Sequence, residues 1–201
     1  MLFRSSASTS GSSGSGAITY AISAGGTATG CALSNSTATA TLTASTAGTC
    51  LIAATIAQDA NYEAATSSAA TFTFSLASQN ALTISLTTST KTYPYSQAPS
   101  MSTSGGSGSG AVTYAISSGG TATGCALSTS NASAVLTAST SGTCLITATK
   151  AADANYSAQT SSAATFTFSR ASQTISISSL GTSSKSYPYS QALSEIGRAH
   201  V

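Results

Sequence analysis

The sequence predicts an all-β protein built from tandem β-sandwich domains. Three observations support this fold class. Apolar and β-branched residues alternate with period two in several short segments, turns rich in Gly, Ser and Asn separate those segments, and the whole pattern recurs along the chain. No segment shows the sustained helical period with caps that a helix requires, so we expect little helix.

The repeat has an offset of 94 residues. Segments 11–79 and 105–173 are identical at 55 of 69 positions without gaps, and the motif Asp-Ala-Asn-Tyr occurs at 59–62 and again at 153–156. Such an offset is too long for a solenoid unit of about 20–50 residues. It fits a small β-sandwich of about 100 residues, so each repeat is predicted to be a domain.

The register of the repeat predicts the domain boundaries. Residues 1–79 are a repeat truncated at its N-terminus, 80–173 are a complete repeat, and 174–194 begin a third, truncated repeat. We therefore expect the chain to be a fragment of a longer protein.

The last seven residues, Glu195–Val201, break the repeat pattern. Reverse translation with plausible codons gives the start of a common short-read sequencing adapter. We interpret this tail as adapter read-through, and a natural tail of the same composition is the alternative. Re-amplification of the locus from source DNA distinguishes the two.

The expected strands of the first repeat are 17–22, 39–43, 50–56 and 71–76. In the first of them Ile18, Tyr20 and Ile22 share one face, because side chains alternate along a strand. In the last, Phe72 and Phe74 alternate with threonines, and we expect both rings to be buried.

The second repeat opens with a predicted strand at 82–86. Further on, Pro94 lies between Tyr93 and Tyr95. Because proline has no N–H to donate, we expect an edge strand or a strand end at this position.

Each repeat contains two cysteines 19 residues apart, Cys31 with Cys50 and Cys125 with Cys144, and all four are predicted to fall in strands. The core of such small side chains is thin, and a disulfide closing this loop contributes roughly 3 kcal/mol. Even cysteine numbers in a chain of this kind favour disulfides. Buried free thiols and metal ligation are the alternatives, although zinc needs four ligands and no His lies near either pair.

The Asp-Ala-Asn-Tyr segment at 59–62 allows two interpretations. Carboxylate and amide oxygens suit a Ca²⁺ loop, but Glu63 in the first repeat is replaced by Ser157 in the second, so few oxygens are available. We favour a turn in which Asp59 and Asn61 bond local backbone while Tyr62 packs inward.

These motifs resemble the tandem Ig-like repeats of large bacterial surface and secreted proteins, especially of the actinobacterial type. The resemblance is carried by the glycine-rich segment before the first cysteine and by residues 142–156, and it covers essentially 5–194. It implies an Ig-like β-sandwich, export, and a role as a stalk or spacer that is sometimes adhesive. The family pattern carries no catalytic residues.

The charge balance excludes several classes of function. The chain has 6 basic and 4 acidic residues among 201, too few for the basic patch of a nucleic-acid binder. No apolar run reaches the length of a membrane span, so we expect no membrane insertion. Its single His is His200, inside the anomalous tail, and the carboxylates form no repeated pair. We therefore predict no catalytic, metal or cofactor site and no enzyme activity within these residues.

Three functional classes remain. The first is a structural spacer of a secreted or cell-surface protein, whose partners are neighbouring repeats of the same chain. The second is an adhesin repeat that binds a surface glycan or protein through Tyr93, Tyr95 and nearby loops, although burial of these rings at a domain seam is the favoured alternative. The third is an accessory region of a secreted enzyme whose catalytic domain lies outside these residues.

Overall fold

The computed structural model describes residues 8–177, 184, 186 and 187. Every regular secondary-structure element within these residues is a β-strand, so the predicted all-β fold class is confirmed. The described residues up to Arg170 belong to one compact unit, and those from Ala171 onward belong to a second. The predicted domain boundaries stay predictions, and the segment Glu195–Val201, which we interpret as adapter read-through, lies outside the described residues.

No helix among the described residues has the length and apolar character needed to cross a membrane.

The first repeat contains six strands, which are β1 Ile18–Ser23, β2 Ala32–Leu33, β3 Leu42–Thr43, β4 Gly48–Ile56, β5 Ala65–Thr66 and β6 Ala70–Phe74. β4 is the centre of an antiparallel sheet, with β1 on one side and β5 and β6 on the other. β2 and β3 form a separate two-stranded ladder.

Strand β3 is shorter than the predicted segment 39–43. The amide of Ala40 donates to the carbonyl of Thr37, and the side chain of Asn35 caps the same turn by accepting from Thr37. A turn therefore occupies residues 37–40, and only Leu42–Thr43 pairs as a strand.

The second repeat contains ten strands, which are β7 Leu82–Leu86, β8 Thr90–Thr92, β9 Ser96–Gln97, β10 Met101–Gly105, β11 Val112–Ser117, β12 Ala126–Leu127, β13 Leu136–Thr137, β14 Gly142–Lys150, β15 Gln159–Thr160 and β16 Ala164–Ser169. One sheet has the order β11-β14-β16-β8, with β15 also on β14, and a second has the order β12-β13-β9. β7 and β10 form a third ladder. The pairing of β8 with β16 is parallel, whereas the other ladders are antiparallel.

All three sheets of the second repeat contribute to a single core, which is the arrangement expected of a β-sandwich. Its buried members are Leu82, Met101, Tyr114, Ala134, Leu136, Cys144, Ile146, Ala148, Phe166 and Phe168. The side chains of β14 and β16 alternate between this core and the outer face, as the period-two pattern predicts.

Hydroxyl side chains replace much of the backbone pairing in the loops. Thr121 Oγ1 accepts from the Thr143 amide at 2.9 Å, and Thr143 Oγ1 accepts from the Thr121 amide at 3.1 Å. Thr27 and Thr49 make the same reciprocal pair in the first repeat. Threonines in these positions satisfy amides at the start of the central strand and in the loop that faces it, which accounts for part of the high Ser and Thr content.

Candidate functional site: the repeat junction

The structure joins the four cysteines within their repeats. Cys31 is bonded to Cys50 and Cys125 to Cys144, each with a Cα–Cα distance of 5.9 Å. Cys50 and Cys144 lie in the central strands and are fully buried. The first cysteine of each pair precedes a short strand instead of lying within one, because the positive-φ glycine before it turns the chain.

The aspartate of each Asp-Ala-Asn-Tyr motif organises a turn. Asp153 Oδ1 accepts from the amides of Asn155 and Tyr156, both at 2.9 Å. Its Oδ2 accepts from the amide and the hydroxyl of Ser109, which lies 44 residues earlier. Both carboxylate oxygens are therefore engaged by protein donors, and the geometry supports the turn interpretation over a cation loop.

These hydrogen bonds favour the ionised carboxylate. The pKa of Asp153 is lowered from 3.8 to about 2, chiefly by the Asn155 amide and then by the Ser109 amide. In the first repeat the amides of Asn61 and Ser15 lower the pKa of Asp59 to about 2 in the same way. The charge of each aspartate thus holds a glycine-serine loop against the Asp-Ala-Asn-Tyr turn.

Glycine is required where this loop approaches the turn. A Cβ added at Gly110 would overlap the carbonyl oxygen of Ala151, and one added at Gly16 would overlap that of Ala57. The Gly-Ser-Gly runs are therefore close-packed turns that lie against the residue that directly follows β4 in the first repeat and β14 in the second.

The turn of the second repeat also binds the linker that arrives from the first repeat. The amide of Ala77 donates to the carbonyl of Asn155, and the amide of Ser157 donates back to the carbonyl of Ala77, each at 2.9 Å. Ala77 forms an isolated parallel bridge with Tyr156. Between the repeats proper, the amide of Ala47 donates to the carbonyl of Ala154 at 3.0 Å.

Gln79 completes this junction. Its Nε2 donates to the carbonyls of Ser157 at 2.8 Å and Ala151 at 3.1 Å, while its Oε1 accepts from the Gly108 amide at 3.4 Å. The residue is only 6% exposed although it is polar. A buried amide with three backbone partners fixes the linker against both loops that Asp153 brings together. Sequence reasoning missed this role, and the recurrence of Ala-Ser-Gln at 171–173 was the available signal.

The residues equivalent to Tyr156 and Gln79 are exposed where the described structure places no linker or turn beside them. Tyr62 is 52% exposed, so the prediction that it packs inward is wrong, because no residues described before it take the position that Ala77 takes beside Tyr156. Gln173, the repeat equivalent of Gln79, is exposed.

The tyrosine pair lies within the second repeat, not at the described junction. The peptide bond between Tyr93 and Pro94 is cis and falls between β8 and β9, at a strand end as predicted. Tyr95 packs edge-on against Phe168 with a centroid distance of 5.6 Å, whereas Tyr93 is 63% exposed. Of the two rings, therefore, only that of Tyr93 is exposed enough to contact a ligand.

Within the described residues no three metal-ligating side chains of His, Cys, Asp or Glu lie together. His200 falls outside those residues, so they hold no imidazole that could act as a base toward the many hydroxyls. The absence of catalytic, metal and cofactor sites from the chain stays a prediction.

Comparison with protein-family models gives no match to this chain, and no curated protein sequence matches it significantly.

Proposed function

We propose that the chain is a non-catalytic structural spacer in a large bacterial surface or secreted protein, and that its repeats are Ig-like β-sandwich domains. The observation that carries this proposal is the repeat junction. Gln79 and Ala77 attach the linker to the next repeat through backbone partners, and the Ala47 amide of the first repeat bonds to Ala154 of the second, which together support a set orientation of consecutive repeats. A stalk requires this property, because a flexible linker would let the chain collapse.

Two further properties support an extracellular spacer. The disulfides of both repeats are compatible with an oxidising location, since such bonds persist in secreted and surface proteins. Only 5% of the residues are charged, so a series of these repeats would carry little long-range electrostatic attraction or repulsion.

The spacer proposal predicts a narrow distribution of distances between the repeats. Spin labels introduced through an unnatural amino acid at the exposed positions Ser36 and Ser130 would report that distribution by pulsed electron resonance. We expect Gln79→Ala to broaden it, and Gln173→Ala, at the exposed equivalent, to leave it unchanged. A broad distribution in the unaltered chain would contradict a stiff spacer.

Adhesion is a second candidate, favoured by the exposure of Tyr93. Its ring stands edge-on to Tyr95 at a centroid distance of 5.2 Å, which holds an aromatic surface toward solvent. Aromatic surfaces of this kind bind the apolar faces of sugars or protein side chains. Saturable binding of the chain on a glycan array, abolished by Tyr93→Ala, would support adhesion. Equal signals from the unaltered chain and the variant would show that Tyr93 does not form the binding surface.

A further inference from the structure

Two exposed loops carry the motif Asn-x-Ser/Thr, which is the acceptor sequence for N-linked glycans. In the first repeat the motif is Asn35-Ser36-Thr37, between β2 and β3. In the second repeat it is Asn131-Ala132-Ser133, between β12 and β13. All six of these residues are exposed, so each of the two loops presents one copy of the motif to solvent.

Within each motif the asparagine contacts the hydroxyl residue. Asn35 Oδ1 accepts from the Thr37 amide at 2.9 Å and from the Thr37 hydroxyl at 2.7 Å. Asn131 Oδ1 accepts from the Ser133 amide at 3.0 Å and from the Ser133 hydroxyl at 2.9 Å. Among the described residues, neither side-chain amide nitrogen has a hydrogen-bond partner. The nitrogen to which a glycan would be attached is therefore free in both loops.

The backbone turn in these loops does not require asparagine at one fixed position. At the offset of 94 residues, Asn35 corresponds to Thr129 and Thr37 corresponds to Asn131, so the asparagine lies two residues later in the second repeat. The turn is nevertheless the same, because the amide three residues further on donates to the carbonyl of Thr37 or of Asn131. Turn formation alone therefore does not explain the two asparagines, whereas an acceptor motif retained in both loops does.

A third copy of the motif, Asn155-Tyr156-Ser157, lies at the repeat junction. The amide and the hydroxyl of Ser157 both donate to the carbonyl of Ala77, at 2.9 and 3.3 Å, and Ser157 is half-buried. The carbonyl of Asn155 accepts from the amide of Ala77. The linker therefore occupies both the hydroxyl and the backbone that a modifying enzyme has to reach.

We propose that Asn35 and Asn131 are sites of N-linked glycosylation and that Asn155 is not. The substrate is an oligosaccharide carried on a polyprenyl diphosphate and transferred by an oligosaccharyltransferase. Nδ2 of the asparagine bonds to the anomeric carbon of the first sugar, while the bond from that carbon to the diphosphate oxygen breaks. The diphosphate leaves with the bonding electron pair, and the amide nitrogen loses one proton to a base of the transferase.

The inference rests on the proposed export of the chain, because N-linked glycans are added to surface loops of secreted proteins. Glycans would supply a property that the protein surface lacks. Only 5% of the residues are charged and the formal net charge is +2, so little charge repulsion opposes association between chains. A bulky, hydrated glycan on each of the two loops would keep neighbouring spacers apart.

The first test is glycan transfer to the folded, oxidised full chain. The chain would be incubated with a polyprenyl-diphosphate oligosaccharide and a purified oligosaccharyltransferase that requires only Asn-x-Ser/Thr. We expect the intact mass to rise by two glycans, and peptide mapping should place them at Asn35 and Asn131. An unmodified chain, in a reaction that fully modifies a flexible peptide with the same motif, would overturn the proposal.

Point variants separate the acceptor nitrogen from the hydroxyl of the motif. Asn35→Gln and Asn131→Gln should each lose one glycan, and the double variant should lose both. Ser133→Ala retains Asn131 but should lose the same glycan, whereas Ser133→Thr should keep it. Asn155→Gln is the matched control and should carry both glycans. Loss of a glycan from this control, or two glycans on either single asparagine variant, would contradict the assignment.

A short peptide tests whether the junction protects Asn155. A synthetic peptide of residues 151–160 contains the third motif without the linker, and it should be modified as fully as the flexible control peptide. In the folded chain Asn155 should stay unmodified. Modification of Asn155 in the folded chain would show that the linker does not cover this motif. An unmodified peptide would show that local sequence, and not the linker, excludes Asn155.

These outcomes are separable from those of the spacer proposal. The transfer reaction requires only the folded chain, whereas the spacer proposal is tested by the distribution of distances between the repeats. A narrow distribution without glycan transfer would retain the spacer and overturn the modification. Glycan transfer to a chain with a broad distribution would retain the modification and contradict the stiff spacer.

Discussion

The two repeats are nearly the same sequence in different surroundings. Phe166 and Phe168 are 0% and 1% exposed in the second repeat, whereas Phe72 and Phe74 are half-buried at the corresponding positions of the first. The ring pairs themselves have the same centroid separation of 4.9 Å. Local geometry is thus preserved, while β7, β8 and β9 lie over the second repeat and have no counterpart among the described residues of the first.

This difference shows which parts of the fold are self-contained. The central sheet, the disulfide and the Asp-Ala-Asn-Tyr turn form in both repeats, so they depend on residues within 11–79 or 105–173. Burial of the core instead depends on strands that precede those residues. Matched substitutions in the two repeats test this difference.

Removal of a core phenylalanine should give the largest difference. Phe166→Ala should cost about 3–5 kcal/mol of the free energy of unfolding of the second repeat, because it leaves a cavity in a closed core. Phe72→Ala should cost roughly half as much, since its ring already contacts solvent. Hydrogen exchange resolved to β4 and β14, whose peptides differ in mass, would measure each loss. Equal losses would show that the first core is closed in solution.

Removal of the disulfides should have the next largest effect, and it should be equal in both repeats. The double substitutions Cys31→Ala with Cys50→Ala and Cys125→Ala with Cys144→Ala each open a loop of the same 19-residue separation. The chain-entropy argument gives about 3 kcal/mol for each. Urea unfolding followed by the same hydrogen exchange would test this equality. A markedly smaller loss in the first repeat would mean that packing around the buried sulfur contributes to the effect.

Substitution of the junction glutamine should have a smaller effect on stability. Gln79→Ala removes three hydrogen bonds and leaves the carbonyls of Ala151 and Ser157 without their side-chain donor, at a cost of about 1–2 kcal/mol. Gln173→Ala, at an exposed equivalent, should have no measurable effect. Chemical denaturation of both variants gives the comparison. Similar unfolding midpoints would show that Gln79 does not contribute to the stability of the junction.

The smallest effect concerns acid stability. The folded pKa of Asp153 is about 2 against the usual 3.8, so its stabilising contribution is present above about pH 4 and is lost as the pH falls toward 2. Asp153→Asn should reduce the loss of folding stability of the second repeat as the pH falls below about 4, and Asp59→Asn should do the same for the first. Unfolding midpoints between pH 2 and 6 would measure the slopes. An unchanged slope in both variants would mean that these carboxylates are not engaged in solution.

The sequence alone predicted the all-β fold class, and it favoured one disulfide within each repeat, as the structure has them. Alternation in 71–76 and 82–86 predicts strands because side-chain direction has a period of two, and that property is local. With only two cysteines in each repeat, few pairings are possible, and the equal 19-residue spacing in both repeats favoured pairing within each repeat. Element boundaries were less predictable: residues 39–43 favour a strand by composition, but an asparagine-capped turn takes residues 39 and 40, and only Leu42–Thr43 forms a strand.

Tertiary structure alone decided which residues meet and which are covered. Nothing in the local pattern shows that β8 pairs in parallel with β16, that Gln79 binds backbone 72 and 78 residues away, or that Tyr62 is exposed while Tyr156 is half-buried. Identical residues at 52 and 146 have different exposure, because burial is a property of the neighbours that surround a side chain. Those neighbours are contributed by distant segments, so a residue's own sequence context determines its strand but not its environment.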